Sequence, residues 1–169
     1  VIGYRAPSFS INDKLMAILR ELCYKYDSSL NSFTLHDRYG KLMVETINKP
    51  FIHQSGIVEF PMPVINALGI NIPISGGGYF RMFPLLFFEK LVSVYLKRYD
   101  IYLFYMHPWE IDDEQPRVKE IKKFYYIRHY YGLRKAFDKL KCFVYMNLKK
   151  SRFVTLGEYI RFYKSTNDL

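Results

Sequence analysis

The order of apolar and polar positions along the chain predicts short strands alternating with helices. Val1 to Ala6 reads as the end of a strand leading into a loop at Pro7-Ser8. Ser10 is placed to cap a helix, and Asp13 puts a negative charge at that helix's positive end. Leu15, Ile18, Leu19 and Leu22 recur at the spacing of one helix face, with the end expected near Tyr24, ahead of Asp27-Ser28-Ser29. Residues 30–56 are polar and irregular, punctuated by Gly40, Pro50 and Gly56. Ile57-Val58-Glu59-Phe60 is a short strand stopped by Pro61 and Pro63. Gly76-Gly77-Gly78 marks a loop, and Pro84 suits the first turn of a helix running to about Arg98. Ile101 to Met106 is an apolar run of the kind found in buried parallel strands. Leu133 to Leu148 is helical, with Leu133, Phe137, Leu140 and Val144 on one side. Thr155 and Glu158 form a capping box for a last helix.

Strand, helix, strand, helix at this spacing argues for an α/β fold with parallel pairing. The strands are few for a closed sheet, so the sheet is expected to be open or part of a larger one. The 169 residues are half apolar, enough for a core and too apolar for general disorder. The apolar run around Phe83–Phe88 is too short to cross a membrane. Cys23 and Cys142 alone exclude a disulfide scaffold and a cysteine-based zinc cluster, and they suit a reducing or an oxidising compartment equally.

Charge changes the picture. The net charge is +9, yet residues 117–152 hold twelve basic residues against Glu120 and Asp138, and the remainder is close to neutral. Phe124, Tyr125, Tyr126, Tyr130 and Tyr131 interleave with those bases. Such a stretch fits stacking on single-stranded nucleic acid or contact with an anionic surface. The reading favoured here over nucleic acid is a solvated basic helix face with an aromatic inner face. Glu110, Asp112, Asp113 and Glu114 are available to pair with it internally.

The densest chemistry is Tyr105-Met106-His107-Pro108-Trp109-Glu110-Ile111-Asp112, directly after the expected strand at 101–106. Ligands in parallel α/β folds bind beyond the carboxyl ends of strands, where a His can act as general acid or base. His107 could equally satisfy a nearby carbonyl at a capped strand end. Arg5 stands at the end of the first strand in the same way, able to hold a carboxylate bidentately or to make an ordinary ion pair. Gly76-Gly77-Gly78 lacks the Lys-Ser/Thr of a phosphate loop, so it reads as a tight loop admitting close backbone approach. His36-Asp37 is a poor metal pair, since adjacent residues seldom face one ion, and His53 reads as a surface residue. His129 is a surface contact or part of a binding edge.

Several strings together resemble the polysaccharide deacetylase family (carbohydrate esterase family 4), in its subgroup with an extended C-terminal region linked to bacterial exopolysaccharide biosynthesis. They are Gly3-Tyr4-Arg5-Ala6-Pro7-Ser8-Phe9-Ser10, Tyr26-Asp27-Ser28-Ser29, His36-Asp37-Arg38-Tyr39-Gly40, Gly76-Gly77-Gly78-Tyr79-Phe80-Arg81 and His107-Pro108-Trp109-Glu110-Ile111-Asp112, followed by Gln115-Pro116-Arg117 and Arg128-His129-Tyr130. The resemblance implies the C-terminal part of a distorted (β/α) barrel over residues 1–116, with a basic, mainly helical extension over 117–169. It implies a divalent metal, usually zinc, whose bound water attacks the acetamide carbonyl of an N-acetylated sugar.

On this resemblance Arg5 matches the Arg that holds the base Asp, and His107 the His that protonates the departing amine. Asp27 falls near a further motif, and Tyr79, Arg81 and Trp109 line the substrate groove. The metal ligands and base belong to motifs upstream of the Arg motif, at which this chain starts. The 169 residues alone are therefore expected to bind no metal and to be inactive, while the longer protein acts on an N-acetylated polysaccharide. Ser8 and Tyr105 depart from the aromatic and the Leu common at those places, which bears on acetyl-pocket shape. The alternative is a non-catalytic module that binds a glycan, nucleic acid or an anionic surface.

Overall fold

The computed structural model describes residues 1–32, 42, 48–118, 120 and 122–166. The chain is mixed α/β, with six helices and two small sheets among those residues and no closed barrel. It divides into two compact units, Val1–Ile72 with Phe153–Leu169, and Pro73–Arg152.

In the first unit, β1 (Gly3–Tyr4), β2 (Tyr26–Asp27) and β4 (Val58–Glu59) run parallel, and β3 (Phe51–Ile52) adds antiparallel to β4. The register sets Tyr4 beside Asp27 and Asp27 beside Glu59. α1 (Asp13–Glu21) makes the crossover from β1 to β2. Its cap is Asn12, whose Oδ1 accepts the Leu15 amide at 2.8 Å; Ser10 instead closes the preceding 3₁₀ turn, Pro7–Phe9, by donating to the Pro7 carbonyl. Asp13 does sit in the first turn, as expected. The buried stripe is Met16 and Leu19, packed with Ile11, Leu30, Leu42 and Ile57, and both Ile18 and Leu22 are exposed. Of the predicted face, Leu19 is buried and Leu15 packs against the core, while Ile18 and Leu22 turn outward. It stops with Cys23 at φ 63°, its amide on the Arg20 carbonyl and the Tyr24 amide on Leu19. That is a Schellman end with cysteine where glycine is usual.

Ile57 to Phe60 is wholly buried, as an apolar strand before a proline should be. β5 (Val64–Ala67) and β6 (Ile70–Pro73) form a separate two-stranded sheet. α6 (Leu156–Thr166) begins at the expected box: Thr155 Oγ1 accepts the Glu158 amide at 3.1 Å, and Glu158 Oε2 accepts the Thr155 amide at 2.7 Å.

The second unit holds α2 (Gly77–Met82), α3 (Leu85–Leu96), a 3₁₀ turn at Pro108–Ile111, α4 (Lys123–Tyr130) and α5 (Leu133–Leu148). Its core is an edge-to-face group in which Phe80 lies 5.1 Å from both Phe88 and Phe104, and 5.5 Å from Phe143, between ring centres. Such pairs add about 0.5–1.5 kcal/mol each beyond the area they bury. Lys139 reaches the Phe80 and Phe83 carbonyls at the end of α2, satisfying acceptors left open there. Three expectations are corrected. The glycine run starts α2 instead of forming a loop. Residues 101–106 make only one parallel bridge, Tyr105 to Gly76, not a strand. The inner face of α5 is Leu133, Ala136, Phe143 and Asn147, and Phe137 points outward. No described helix is long and apolar enough to cross a membrane.

Candidate functional site

Two polar clusters stand at the carboxyl ends of parallel pairings, one in each unit. In the first unit Arg5 follows β1 immediately. Its Nε donates to the Ser28 carbonyl and its Nη2 to Ser28 Oγ, both at 2.8 Å. Ser28 Oγ donates onward to the Phe60 carbonyl at 2.9 Å, so one hydroxyl joins the ends of three neighbouring strands. Asp27 accepts the Ser29 amide at 2.7 Å and the Ser29 hydroxyl at 2.9 Å, while Ser29 Oγ accepts the Ala6 amide at 2.7 Å. Glu59 Oε1 accepts the amides of Leu30 and Ser29, at 2.8 and 3.1 Å.

Asp27, Ser28, Ser29 and Glu59 are all fully buried, and Glu59 Oε2 has no hydrogen-bond partner among the described residues. Burial, and then the adjoining Asp27 carboxylate, hold Glu59 well above the usual carboxylate range, against the lowering pull of the two amides. Burial beside a second carboxylate therefore favours the neutral form of Glu59 over the charged one. Because the folded-state pKa exceeds the unfolded one, the stabilisation is complete below the unfolded value and is lost as pH rises through the folded value. Urea unfolding of Glu59→Gln, followed upward from the ordinary carboxylate value of 4.5, should show that decline removed, since the amide keeps the neutral shape. An unchanged pH profile would contradict the assignment.

In the second unit the chain leaves the Tyr105 bridge and turns over Pro108–Ile111. The Tyr105 hydroxyl lies 3.0 Å from His107 Nε2. Glu110, buried, accepts the His107 amide on Oε2 at 3.0 Å and faces Arg81 through Oε1 at 3.3 Å. Arg81 is also buried and donates through Nη1 to the carbonyls of His129 and Tyr131, at 2.9 and 2.6 Å, and through Nη2 to Arg128 at 3.4 Å. The Trp109 ring is stacked on His129 at 4.4 Å and on His107 at 6.0 Å. Gln115 locks the far side, accepting from His129 Nε2 at 2.9 Å and donating to the Trp109 carbonyl at 2.7 Å. Burial, then the Arg81 charge, lower the His129 pKa, so that ring is neutral at neutral pH. Gly77 explains itself here: a Cβ would fall 2.1 Å from Glu110 Oε2, so the close approach is by the protein's own carboxylate.

Arg5 and Asp27 thus share one cluster, and Arg81, His107 and Trp109 share the other. Tyr79, half-buried on α2, packs its ring 6.2 Å from Phe83. The Arg81 guanidinium is engaged within the protein, and Glu110 pairs with it and not with the basic stretch. His53 is buried, not superficial, with Nε2 3.0 Å from Asp13 and Nδ1 2.9 Å from Ser55. His36 and Asp37 lie outside the described residues. The sequence does not mark Glu59 or Gln115 as site residues, and marks Tyr105 only for pocket shape. A lone acid inside an otherwise apolar strand was the available signal for Glu59; for the other two the signal is geometric only.

A family model, described as a domain of unknown function (DUF3473), matches residues 28–161. The chain belongs to the DUF3473 family. The matched segment takes in Ser28, Glu59, Arg81, His107, Glu110 and His129, and leaves Arg5 and Asp27 just ahead of it. Comparison with curated proteins and with solved structures gives no match. In DUF3473 terms, therefore, the Arg81–Glu110 joint and its aromatic stack are wholly internal to the domain.

Proposed function

We propose that this chain is the C-terminal part of a metal-dependent polysaccharide deacetylase, hydrolysing N-acetyl groups of a bacterial glycan. The supporting observation is positional. Arg5 and His107 each follow the carboxyl end of a parallel pairing, the edge at which α/β and barrel enzymes gather reactive groups. In this reading the parallel strands are a segment of a distorted (β/α) barrel. Arg5, its guanidinium plane set by Ser28, orients the base carboxylate. His107 supplies a proton to the departing amine, its ring positioned by the Tyr105 hydroxyl and its backbone by Glu110. Trp109, part-exposed and fixed by stacking on His129 and His107, is the aromatic side chain that would meet a sugar ring.

The reading implies a divalent metal, zinc in such enzymes, and the donors present decide whether these residues could hold it. No three His, Cys, Asp or Glu side chains among the described residues come together as a metal site requires. Asp27 and Glu59 are committed to the Ser29 and Leu30 amides. These residues do not make the metal centre, and the reading assigns its ligands to sequence ahead of Val1. The test is acetate release from N-acetylated oligosaccharides by the 169-residue protein with added zinc. None is expected. Release that disappears in His107→Ala would overturn the division of labour. The Trp109 stack also favours a second reading, glycan binding without catalysis, which predicts saturable, zinc-independent binding lost in Trp109→Ala.

A further inference from the structure

We propose that the outer faces of α4 and α5 dock on an anionic lipid bilayer. The observation is that each helix is apolar on two sides. α4 turns Tyr130 inward, yet Phe124 and Ile127 are exposed, Phe124 to 69 %, as is Tyr131 just past its end. Phe124, Ile127 and Arg128 stand at i, i+3 and i+4, which is one stripe. α5 packs Leu133, Ala136 and Phe143 inward, yet Phe137, Tyr145 and Leu148 are exposed, Tyr145 to 71 %. With Lys141 they also form one stripe, and the Lys141 ammonium sits 4.9 Å from the Phe137 ring centre. An aromatic inner face accounts for Tyr130 and Phe143 and not for these outer residues. A helix that needs only a core and water has no use for a second apolar stripe.

The charge around the stripes names the partner. Lys122 and Lys123 open α4, and Arg134 and Lys135 stand in the first turn of α5, with no acidic residue in either first turn. Cations there oppose the positive end of the helix dipole, a local cost that an anionic surface reverses. Basic residues flanking Phe, Tyr, Ile and Leu are the composition of helices that lie in a bilayer interface, with rings and aliphatic groups at the acyl boundary and cations at phosphate. Single-stranded nucleic acid fits less well. Ile127 and Leu148 offer no plane for a base, and Phe124 and Tyr125 meet edge to face at 72°, not as parallel platforms.

The test is flotation with phosphatidylcholine vesicles, with and without phosphatidylglycerol, alongside competition by polyuridylate. Binding is expected only where phosphatidylglycerol is present. Each Lys neutralised in Lys122→Gln and Lys123→Gln should weaken it about fivefold. The pair Phe124→Ser, Tyr145→Ser should weaken it about tenfold or more, with an unchanged far-ultraviolet spectrum because both side chains are outside the core. Failure to bind anionic vesicles, binding indifferent to the aromatic pair, or displacement from vesicles by polyuridylate would each overturn the proposal. So would a lipid-free dimer that Phe124→Ser dissolves, since the stripe would then face a second copy.

Discussion

Arg81→Met is expected to lose most of the second unit's stability. The substitution leaves the Glu110 carboxylate buried without its cation, an imbalance that typically costs about 3–5 kcal/mol. It also orphans the carbonyls of Arg128, His129 and Tyr131, each worth about 1–3 kcal/mol when buried unsatisfied. Against a whole-domain stability of about 5–15 kcal/mol, that sum is enough to unfold the unit at ambient temperature. Arg81→Lys should not rescue it, because one ammonium cannot span a carboxylate and three carbonyls held in a fork. Arg81→Met with Glu110→Met should recover part of the loss, removing the lone charge but not the open carbonyls. Gly77→Ala strikes the same joint from the opposite side and should cost about 1–3 kcal/mol by pushing Glu110 aside. Urea unfolding followed by near-ultraviolet circular dichroism reads the series. A fully stable Arg81→Met would show that the buried pair holds nothing together.

His107→Ala is the second large effect. In a protein carrying the metal ligands, acetate release should fall about 10²–10⁴-fold, the usual contribution of a positioned proton donor. The loss should appear in kcat, since the ring acts on the departing group. Tyr105→Phe should behave differently. It removes only the hydroxyl 3.0 Å from Nε2, so turnover should fall in part and persist. A His107→Ala protein with unchanged kcat would remove His107 from the chemistry.

Much of this was legible before the structure, and the exceptions have physical causes. The buried strand before Pro61 and the box at Thr155–Glu158 are local patterns with one solution each, and both form. Asn12 displaces Ser10 as the cap because two capping residues stood two positions apart and the 3₁₀ turn at Pro7–Phe9 uses the first. The glycine run looked like a loop because glycine disfavours helices, but Gly77 is required by the Glu110 carboxylate, which arrives from residues far along the chain. Residues 101–106 are apolar enough for a strand, yet they make a single bridge to Gly76 and no ladder, and only Leu103 among them is fully buried. Phe137 was assigned inward because apolar spacing cannot tell two apolar faces of one helix apart. Motif strings pointed to Arg5, Asp27, His107 and Trp109. What they could not give is the tie between Asp27 and Glu59, or between Arg81 and the carbonyls beyond His129, because those are long-range contacts.

The most direct measurement is acetate release by the protein extended through the sequence encoded ahead of Val1, assayed on N-acetylated oligosaccharide with and without zinc. The account predicts that this sequence carries an Asp-Asp pair and a closely spaced His pair, that release is zinc-dependent, and that Arg5→Ala and His107→Ala each abolish most of it. Zinc-dependent release unaffected by both substitutions, or no release from the extended protein, would contradict it.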